Sequence, residues 1–527
     1  MKLFRQLCLC IFPALALHSP LIAQPQQSSP NIPTFQVTSS LVFLDVTVLD
    51  KKGRPVVTGL TRDDFSISED KRPQRIFSFE APATHTLTAD QSNANGQAPV
   101  TIFVLDLLNS DFPDFAYIRY SVERYLKAQP AQLAAPAEML VIGNESMEMI
   151  QGYTRSRNDL LFALKHLPPV LPYKKMNASF FAERFGQSLD ALQQIALQSK
   201  GVPGRKNIVW VGHGSPSINT AFLDGGFVQK LDRYIHSTAN MLVDARISLY
   251  VIYPGLKVQV PDFSRSAMDA QADPGDSDPF AGDINFGVFV NETGGKLYYN
   301  RNDVDQEIAH SQQLGSEYYT LTYQPSEGEP NGKFRRIRVT LRDPNLHAVT
   351  KTGYFAPDKK APVDPRVEAI TNLVEAARAT IPFDGLTMRW TGIVRHPDTR
   401  SATVSLLLKG KNLDWETGDD GKTTATVQLA AFALNGRRDI LASRLAKLLV
   451  TSPSGDPARL PNSEAQVKIN LRLPRQTQSI RVVMQTPAGG RIGATDVDRK
   501  TILAAPEQPT PTPQLAPPPQ SSPAPAS

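Results

Sequence analysis

Oxygen donors crowd one loop of this chain. The run VTIFVL, residues 100–105, is nearly all apolar and rich in β-branched types. Such a run suits a strand covered on both faces. It ends at Asp106, and Asn109, Ser110, Asp111 and Asp114 follow. The loop just past the carboxyl end of a central strand is where open α/β sheets place their ligands. Oxygen donors of this kind suit a hard cation, so the stretch is a candidate cation site. A second loop, Gly212-His213-Gly214, follows the run NIVWV. A His beside Asp106 would favour a transition metal over Mg²⁺, but one His and one Asp are too few ligands to define a site. The plain reading of His213 is a surface side chain in a glycine loop.

Catalytic patterns are weaker. Ser215 follows His213, yet a hydrolase elbow needs Gly-x-Ser-x-Gly, and Gly212-His213-Gly214-Ser215-Pro216 does not meet that spacing. No His-Glu-x-x-His and no phosphate-binding glycine loop ending in Lys-Ser/Thr occurs. Asp276, Asp278 and Asp283 lack the spacing of a Ca²⁺-binding EF-hand, so a solvated acidic loop is their default. Both cysteines, Cys8 and Cys10, lie in an N-terminal apolar segment. A chain without that segment has no disulfide and no thiol chemistry.

The elements around these loops alternate. After the strand at 100–105, a helical pattern covers 115–129. Strands are predicted at 139–143 and 147–151, the second as a hairpin partner, with helices at 158–167 and 180–199. A strand at 207–211, a helix at 227–244 and a strand at 247–253 follow. Residues 254–283 read as an excursion loop. A helix at 284–293, a strand at 296–299 and a helix at 304–313 complete a mostly parallel sheet wrapped on both faces. On either side the period is two. Strands are expected within 35–50, 63–67 and 75–79, and again at 318–323, 334–341 and 347–355. The first β module has only about 45 residues, too few for a secure core of its own. Val46 and Val48 are therefore expected to share a core with Leu321, Tyr323, Ile337 and Val339, across the inserted α/β domain. That domain should sit with its Asp106 face pointing away. A helix at 366–379 precedes short strands at 387–394, 401–408, 425–434, 465–473 and 480–484, which read as a sandwich.

The ends carry addresses rather than fold. Lys2 and Arg5, the apolar run 7–17 and the small residue Ala23 form a signal-peptide pattern. Residues 24–34 are a flexible lead and 504–527 a Pro-rich tail expected to be disordered. No later window is long and apolar enough to span a bilayer. Loss of Lys2 and Arg5 leaves 54 basic residues against 51 acidic, a net charge of +3. That near balance gives no case for nucleic acid as a partner.

Several segments together resemble the VWFA-related domain family, the acidobacterial type of von Willebrand factor type A protein. They are VFLDVTVLDKKGRPVVTGLTRDDFSISED, the strand ending in Asp106, GRKNIVWVGHG, NETGGKLYYNRNDVDQEI, SEYYTLTYQP, GKFRRIRVTL and TGYFAP. They span about residues 35–357. The resemblance implies a Rossmann-like α/β domain bearing a metal-ion-dependent adhesion site on its top face, and no catalysis. Metal-binding members read Asp-x-Ser-x-Ser in the first loop. Here Asp106 and Ser110 match, and Leu108 replaces the middle Ser. The second-loop Thr has Gly186 at its register, with Ser179 and Ser188 as imperfect substitutes. The third loop has His213 where the family carries Asp. Two clear oxygen ligands, Asp106 and Ser110, are too few for the octahedron that Mg²⁺ demands, so the site is degenerate and Mg²⁺ would bind weakly or not at all.

The expected organisation is a signal peptide (1–23), a lead (24–34) and an N-terminal β module (35–80). A von Willebrand factor A-like α/β domain (100–313) follows, then strands that pack with the first module (317–357). A helix plus β-sandwich domain (366–503) and the Pro-rich tail (504–527) end the chain. The expected function is exported, non-enzymatic protein interaction of the adhesion type, periplasmic, envelope-associated or extracellular. Asp106, Asn109, Ser110 and His213 would form the binding face, with a protein as partner. The alternatives are an envelope scaffold and a hydrolase using Ser215 and His213. Mass spectrometry of the exported protein should find a mature chain that starts at Gln24 or within a few residues of it. A mature chain that keeps Cys8 would exclude the cleavage.

Overall fold

The computed structural model describes residues 41–85, 99–144, 146–167, 178–215, 224–254, 278–280, 286–325, 330–359, 364–411, 413–418, 421–452, 459–487 and 490–509, with side chains of helix residues 178–182 and of residue 300 excepted. The expected signal and lead, the tail from 510 on, and most of the excursion loop lie outside these; the start of the tail, expected to be disordered, is instead packed, with Ala505 buried and Glu507 paired with Arg395 at 2.7 Å. The chain is mixed α/β and sheet-rich. Among the described residues no helix is long and apolar enough to cross a membrane.

Four strands open the described chain: β1 (Val42–Leu49), β2 (Phe65–Glu69), β3 (Arg72–Gln74) and β4 (Ile76–Glu80). The central sheet then takes β5 (Val100–Asp106), β6 (Gln132–Ile142), β7 (Met147–Ser156), β8 (Lys206–Val211), β9 (Ile247–Pro254) and β10 (Lys296–Arg301), in the order β10-β9-β8-β5-β6-β7. All neighbours are parallel except β7, which returns antiparallel on β6. β-branched and aromatic residues buried on both faces fix this arrangement. Phe103 and Leu105 meet α1 (Phe112–Ala128) and helix 304–316 through Ile118, Val122, Val304 and Ile308. Ile102 and Val104 face the other way. They join one core with Leu189 and Leu192 of α3 (Ala178–Ser199) and Ile235 of α4 (Gly225–Asp244). The other helices described in this section are α2 (Arg157–Lys165), α5 (Phe286–Glu292) and α6 (Val304–Ser316). The strand order reverses between β5 and β8, so Asp106 and Gly212 flank the switch point. β6 begins well before residue 139. Pro136 suggests a break, but the pairing with β5 starts just after it, at Ala137, and the β6–β7 register shifts across that stretch.

The outer strands close a sandwich. β11 (Tyr319–Tyr323), β12 (Phe334–Leu341), β13 (His347–Val349) and β14 (Gly353–Phe355) join the first four in two sheets, β13-β1-β11-β4 and β14-β12-β2-β3. Leu44 pairs with Leu321, and Val339 with Ile67. Val46, Val48, Leu321, Tyr323 and Ile337 lie in one core, with Val339 packed at its edge. The single strand expected at 347–355 is two strands, because this segment crosses from one sheet to the other at a corner. The joint to the central sheet lies at the amino ends of its strands. The buried Arg205, just before β8, donates to Ser248 Oγ (3.0 Å), Thr47 Oγ1 (3.0 Å) and the Tyr250 hydroxyl (3.1 Å). Arg246, just before β9, pairs with Asp45. Asp106 stands at the opposite ends.

After α7 (Pro365–Arg378) come β15 (Met388–His396), β16 (Ser401–Lys409), β17 (Trp415–Thr417), β18 (Thr423–Leu434), β19 (Ile440–Thr451), β20 (Glu464–Arg472), β21 (Ser479–Gln485), β22 (Ile492–Asp498) and α8 (Arg499–Ala504). They form the sheets β15-β16-β20 and β17-β18-β21-β22, with β19 on the edge of β18. Phe432, Val483 and Ile492 share a core with α3 and α7. β17, β19, β22 and α8 were not expected. In β19 leucines stand on both faces, Leu448 inward and Leu445 and Leu449 exposed, which hides the period of two.

Glu138 of β6 is fully buried, and one of its oxygens accepts from Gln198 Nε2 at 3.4 Å. Burial pushes its carboxyl up to about 8; hydrogen bonds from Tyr153 and Gln198 oppose this, and Asp384 adds to it. The folded state thus keeps a proton that the unfolded chain releases near 4.5. Stability should fall as pH rises from about 4.5 to about 8, then level off. Glu138→Gln should flatten that part of the melting-temperature profile. An unchanged profile would show that Glu138 is ionised in the fold.

Candidate functional site

The loop after β5 is held from below and from both sides. Leu108, which replaces an oxygen ligand in the resemblance, is 1% exposed and packs into the core with Ile142, Phe185 and Leu189. The buried Arg184 of α3 donates to the Leu108 carbonyl at 2.9 Å. Asp111 caps α1 by accepting from the Asp114 backbone at 2.9 Å, and Pro113 suits the first turn. Asp111 is therefore spent on the helix. Capping leaves Phe112 pointing outward, 69% exposed.

Asp106 corrects an expectation. It stands at the strand end but is 0% exposed, a core carboxylate rather than a surface ligand. Oδ1 accepts from the Asn109 backbone (2.8 Å), and Oδ2 accepts from Trp210 Nε1 (3.0 Å) and the Gly214 backbone (2.9 Å). The Asn109 side-chain amide reaches both oxygens, at 3.2 and 3.3 Å. Burial raises the carboxyl's pKa, against hydrogen bonds from Trp210 and Asn109 and the nearby His213. Two glycines make room for this. A Cβ on Gly212 would meet the Asp106 Cβ at 2.3 Å, and Gly214 takes φ +77 with Phe286 at 2.5 Å from where its Cβ would be. The glycine loop that replaces the family's third-loop Asp thus lets the chain pass over Asp106.

His213 does not ligate with Asp106. Its Nε2 pairs with the buried Asp114 at 3.0 Å, and its ring stacks on Tyr253 at 3.9 Å. Tyr253 in turn stacks on Tyr299 at 4.9 Å. The three rings run across the carboxyl ends of β8, β9 and β10. Asn109 and Ser110 are also buried, at 7% and 8%, and Ser110 Oγ has no hydrogen-bond partner among the described residues. Ser188 is brought to the site: its Oγ donates to the Gly214 carbonyl at 3.3 Å. The side chain of Ser179, with Asp276 and Asp283, lies outside the described residues. Asp278 accepts from His236 at 2.7 Å. Ser215 Oγ is buried without a partner among the described residues, and it makes no nucleophile–base hydrogen bond with His213.

These residues do not fit Mg²⁺. N–H donors from Trp210, Gly214 and Asn109 aim at the carboxylate from several sides, and a cation there would face their hydrogens. No group of three or more His, Cys, Asp and Glu that could hold a metal gathers among the described residues. Sequence reasoning missed Trp210, Phe112, Tyr253 and Tyr299. The aromatic residues at strand ends were the available signal.

Removing the buried carboxylate strands its donors. Asp106→Ala should therefore destabilise the protein by about 2–4 kcal/mol, and Asp106→Asn by less. Urea unfolding followed by tryptophan fluorescence measures both. An unchanged midpoint for Asp106→Ala would restore the surface reading.

No known family profile matches the chain, and no curated protein is similar in sequence. Solved structures give distant likenesses. Proximal thread matrix protein 1 from the mussel byssus is 9% identical, with a TM-score of 0.24 over 44% of this chain and 48% of that one. The SpRpn10 VWA domain is 15% identical, with a TM-score of 0.23 over 41% of this chain and 96% of its own. The human COPII-coat protein Sec24c is 8% identical, with a TM-score of 0.21 over 54% and 47%. The chain spans about half the length of the first of these. Likenesses at this level assign neither family nor function.

Proposed function

We propose that this is an exported, non-enzymatic protein-interaction protein of the von Willebrand factor A type, whose contact face lies at the carboxyl ends of the central strands. The observation that carries the reading is aromatic. Phe112 stands 69% exposed beside the switch point, and His213, Tyr253 and Tyr299 form a stacked row on the same edge of the sheet. Aromatic side chains supply large contact area at low entropy cost and dominate protein-binding hot spots. Two further features support the family reading: the doubly wound strand order, and the switch point placed at Asp106. The sandwich at the amino ends leaves that face free of the joint. Export rests on the N-terminal pattern of Lys2, Arg5 and the apolar run.

Immobilised protein should retain a specific partner from envelope extract. Phe112→Ala should weaken that partner's binding at least tenfold, about 1.4 kcal/mol. Phe162→Ala, with 66% exposure on α2, is the control and should bind normally. Equal binding by both variants would remove the top-face reading. Absence of any specific partner would favour an envelope scaffold.

A further inference from the structure

The side-chain amide of Asn109 sits where three segments meet. Its Nδ2 lies 3.2 and 3.3 Å from the two carboxylate oxygens of Asp106 and 3.2 Å from Ser188 Oγ, and it also contacts the Gly214 carbonyl. Those oxygens belong to the end of β5, to α3 and to the loop after β8. Asp106 and Ser188 are 0% exposed and Asn109 is 7% exposed, so bulk water has little access. An amide nitrogen has two hydrogens and accepts nothing. It cannot give four acceptors one straight hydrogen bond each. It places the positive edge of a dipole among four oxygens, one pair of them a carboxylate. The opposite amide orientation would set Oδ1 against the same acceptors, so the hydrogen-bond partners fix the orientation.

Four converging oxygens around one electropositive centre are the surroundings of a hard cation. We propose that the Asn109 amide is a built-in substitute for a divalent cation: it ties the three segments together and keeps the carboxyl-end face formed without metal. Ser110 Oγ and Ser215 Oγ, buried in the same loops without partners among the described residues, are oxygens that the amide leaves unused. The inference rests on this geometry alone, so it stands or falls apart from the partner-binding reading.

The test uses the full chain and Mn²⁺ as the probe. Free Mn²⁺ is counted by electron paramagnetic resonance, and folding is followed by thermal melting at pH 8. Wild type should take up no Mn²⁺ and show no shift. Asn109→Asp keeps the shape but trades the donor for a second carboxylate. It should melt below wild type without metal and recover with Mn²⁺, because binding to the folded state alone raises stability. Asn109→Ala empties the centre and should take up Mn²⁺ in a form that Asn109→Ala/Asp106→Asn loses. Uptake by wild type equal to that of the variants overturns the proposal. So does a folded Asn109→Asp or Asn109→Ala that ignores Mn²⁺, or an Asn109→Asp chain that stays unfolded in saturating Mn²⁺.

Discussion

A carboxylate taken out of water must be matched donor by donor, and the carboxyl-end face of this protein is built around that requirement. Desolvating Asp106 costs several kcal/mol unless its lone pairs are filled. The donors that fill them come from elements far apart in sequence: the β5 loop, the side chain of Trp210 inside β8, and the backbone at Gly214. Satisfying one group therefore sets the relative height of two loops across the switch point. Gly212 follows as a consequence, since any side chain there would strike Asp106. Leu108 gives the loop an apolar anchor, so its position depends on packing as well as on polar contacts.

The amino ends of the same strands solve the reverse problem. There the buried charge is positive. Arg205 finds neutral oxygens on both bodies, Thr47 from the sandwich and Ser248 and Tyr250 from the sheet, and lies over the Tyr318 ring at 5.3 Å. Arg246 takes the carboxylate of Asp45. A guanidinium with its fixed fork of donors can bridge two bodies in this way, whereas an ammonium could not reach as many partners. The sandwich cannot form from either sequence segment alone, because β1 needs β11 and β2 needs β12. The α/β domain therefore carries both halves of its neighbour on its own chain ends. The arginines then fix the angle between the two bodies.

What could be read in the sequence was whatever has a local period. The run at β5, the stripe of α3 and the alternation of β1 and β12 each follow from spacing and were placed within a few residues. The shared core of Val46, Val48, Leu321 and Tyr323 could be inferred because two apolar faces without cover must find one another. Features that depend on distant partners were not legible. β19 has leucines on both faces because one face lines the sandwich and the other is solvent-exposed, and a single window cannot tell them apart. Asp106 was placed at the right end of the right strand but with the wrong neighbour. Nothing local says that Trp210 will reach it, or that Asn109, an ordinary loop residue by type, will stand among its oxygens. His213, expected as a surface side chain of the glycine loop, pairs instead with Asp114 next to the cap of α1.

These contacts bear on how such a face can recognise anything. A loop held by a filled carboxylate, a core leucine and a helix cap has little freedom left to lose on binding. The entropy that association usually spends on ordering loops is thus already spent in folding. With the oxygens of Asp106 turned inward to N–H donors, the large outward-facing groups described at this face include Phe112 and the Tyr253–Tyr299 row. Contact through rings depends on shape and on buried apolar area. It is therefore less sensitive to salt than contact through exposed charges would be. The near-neutral chain offers no long-range steering to a charged partner either. On the proposed reading, selectivity at this face comes from the fit of a partner's apolar groups between Phe112 and the stacked row.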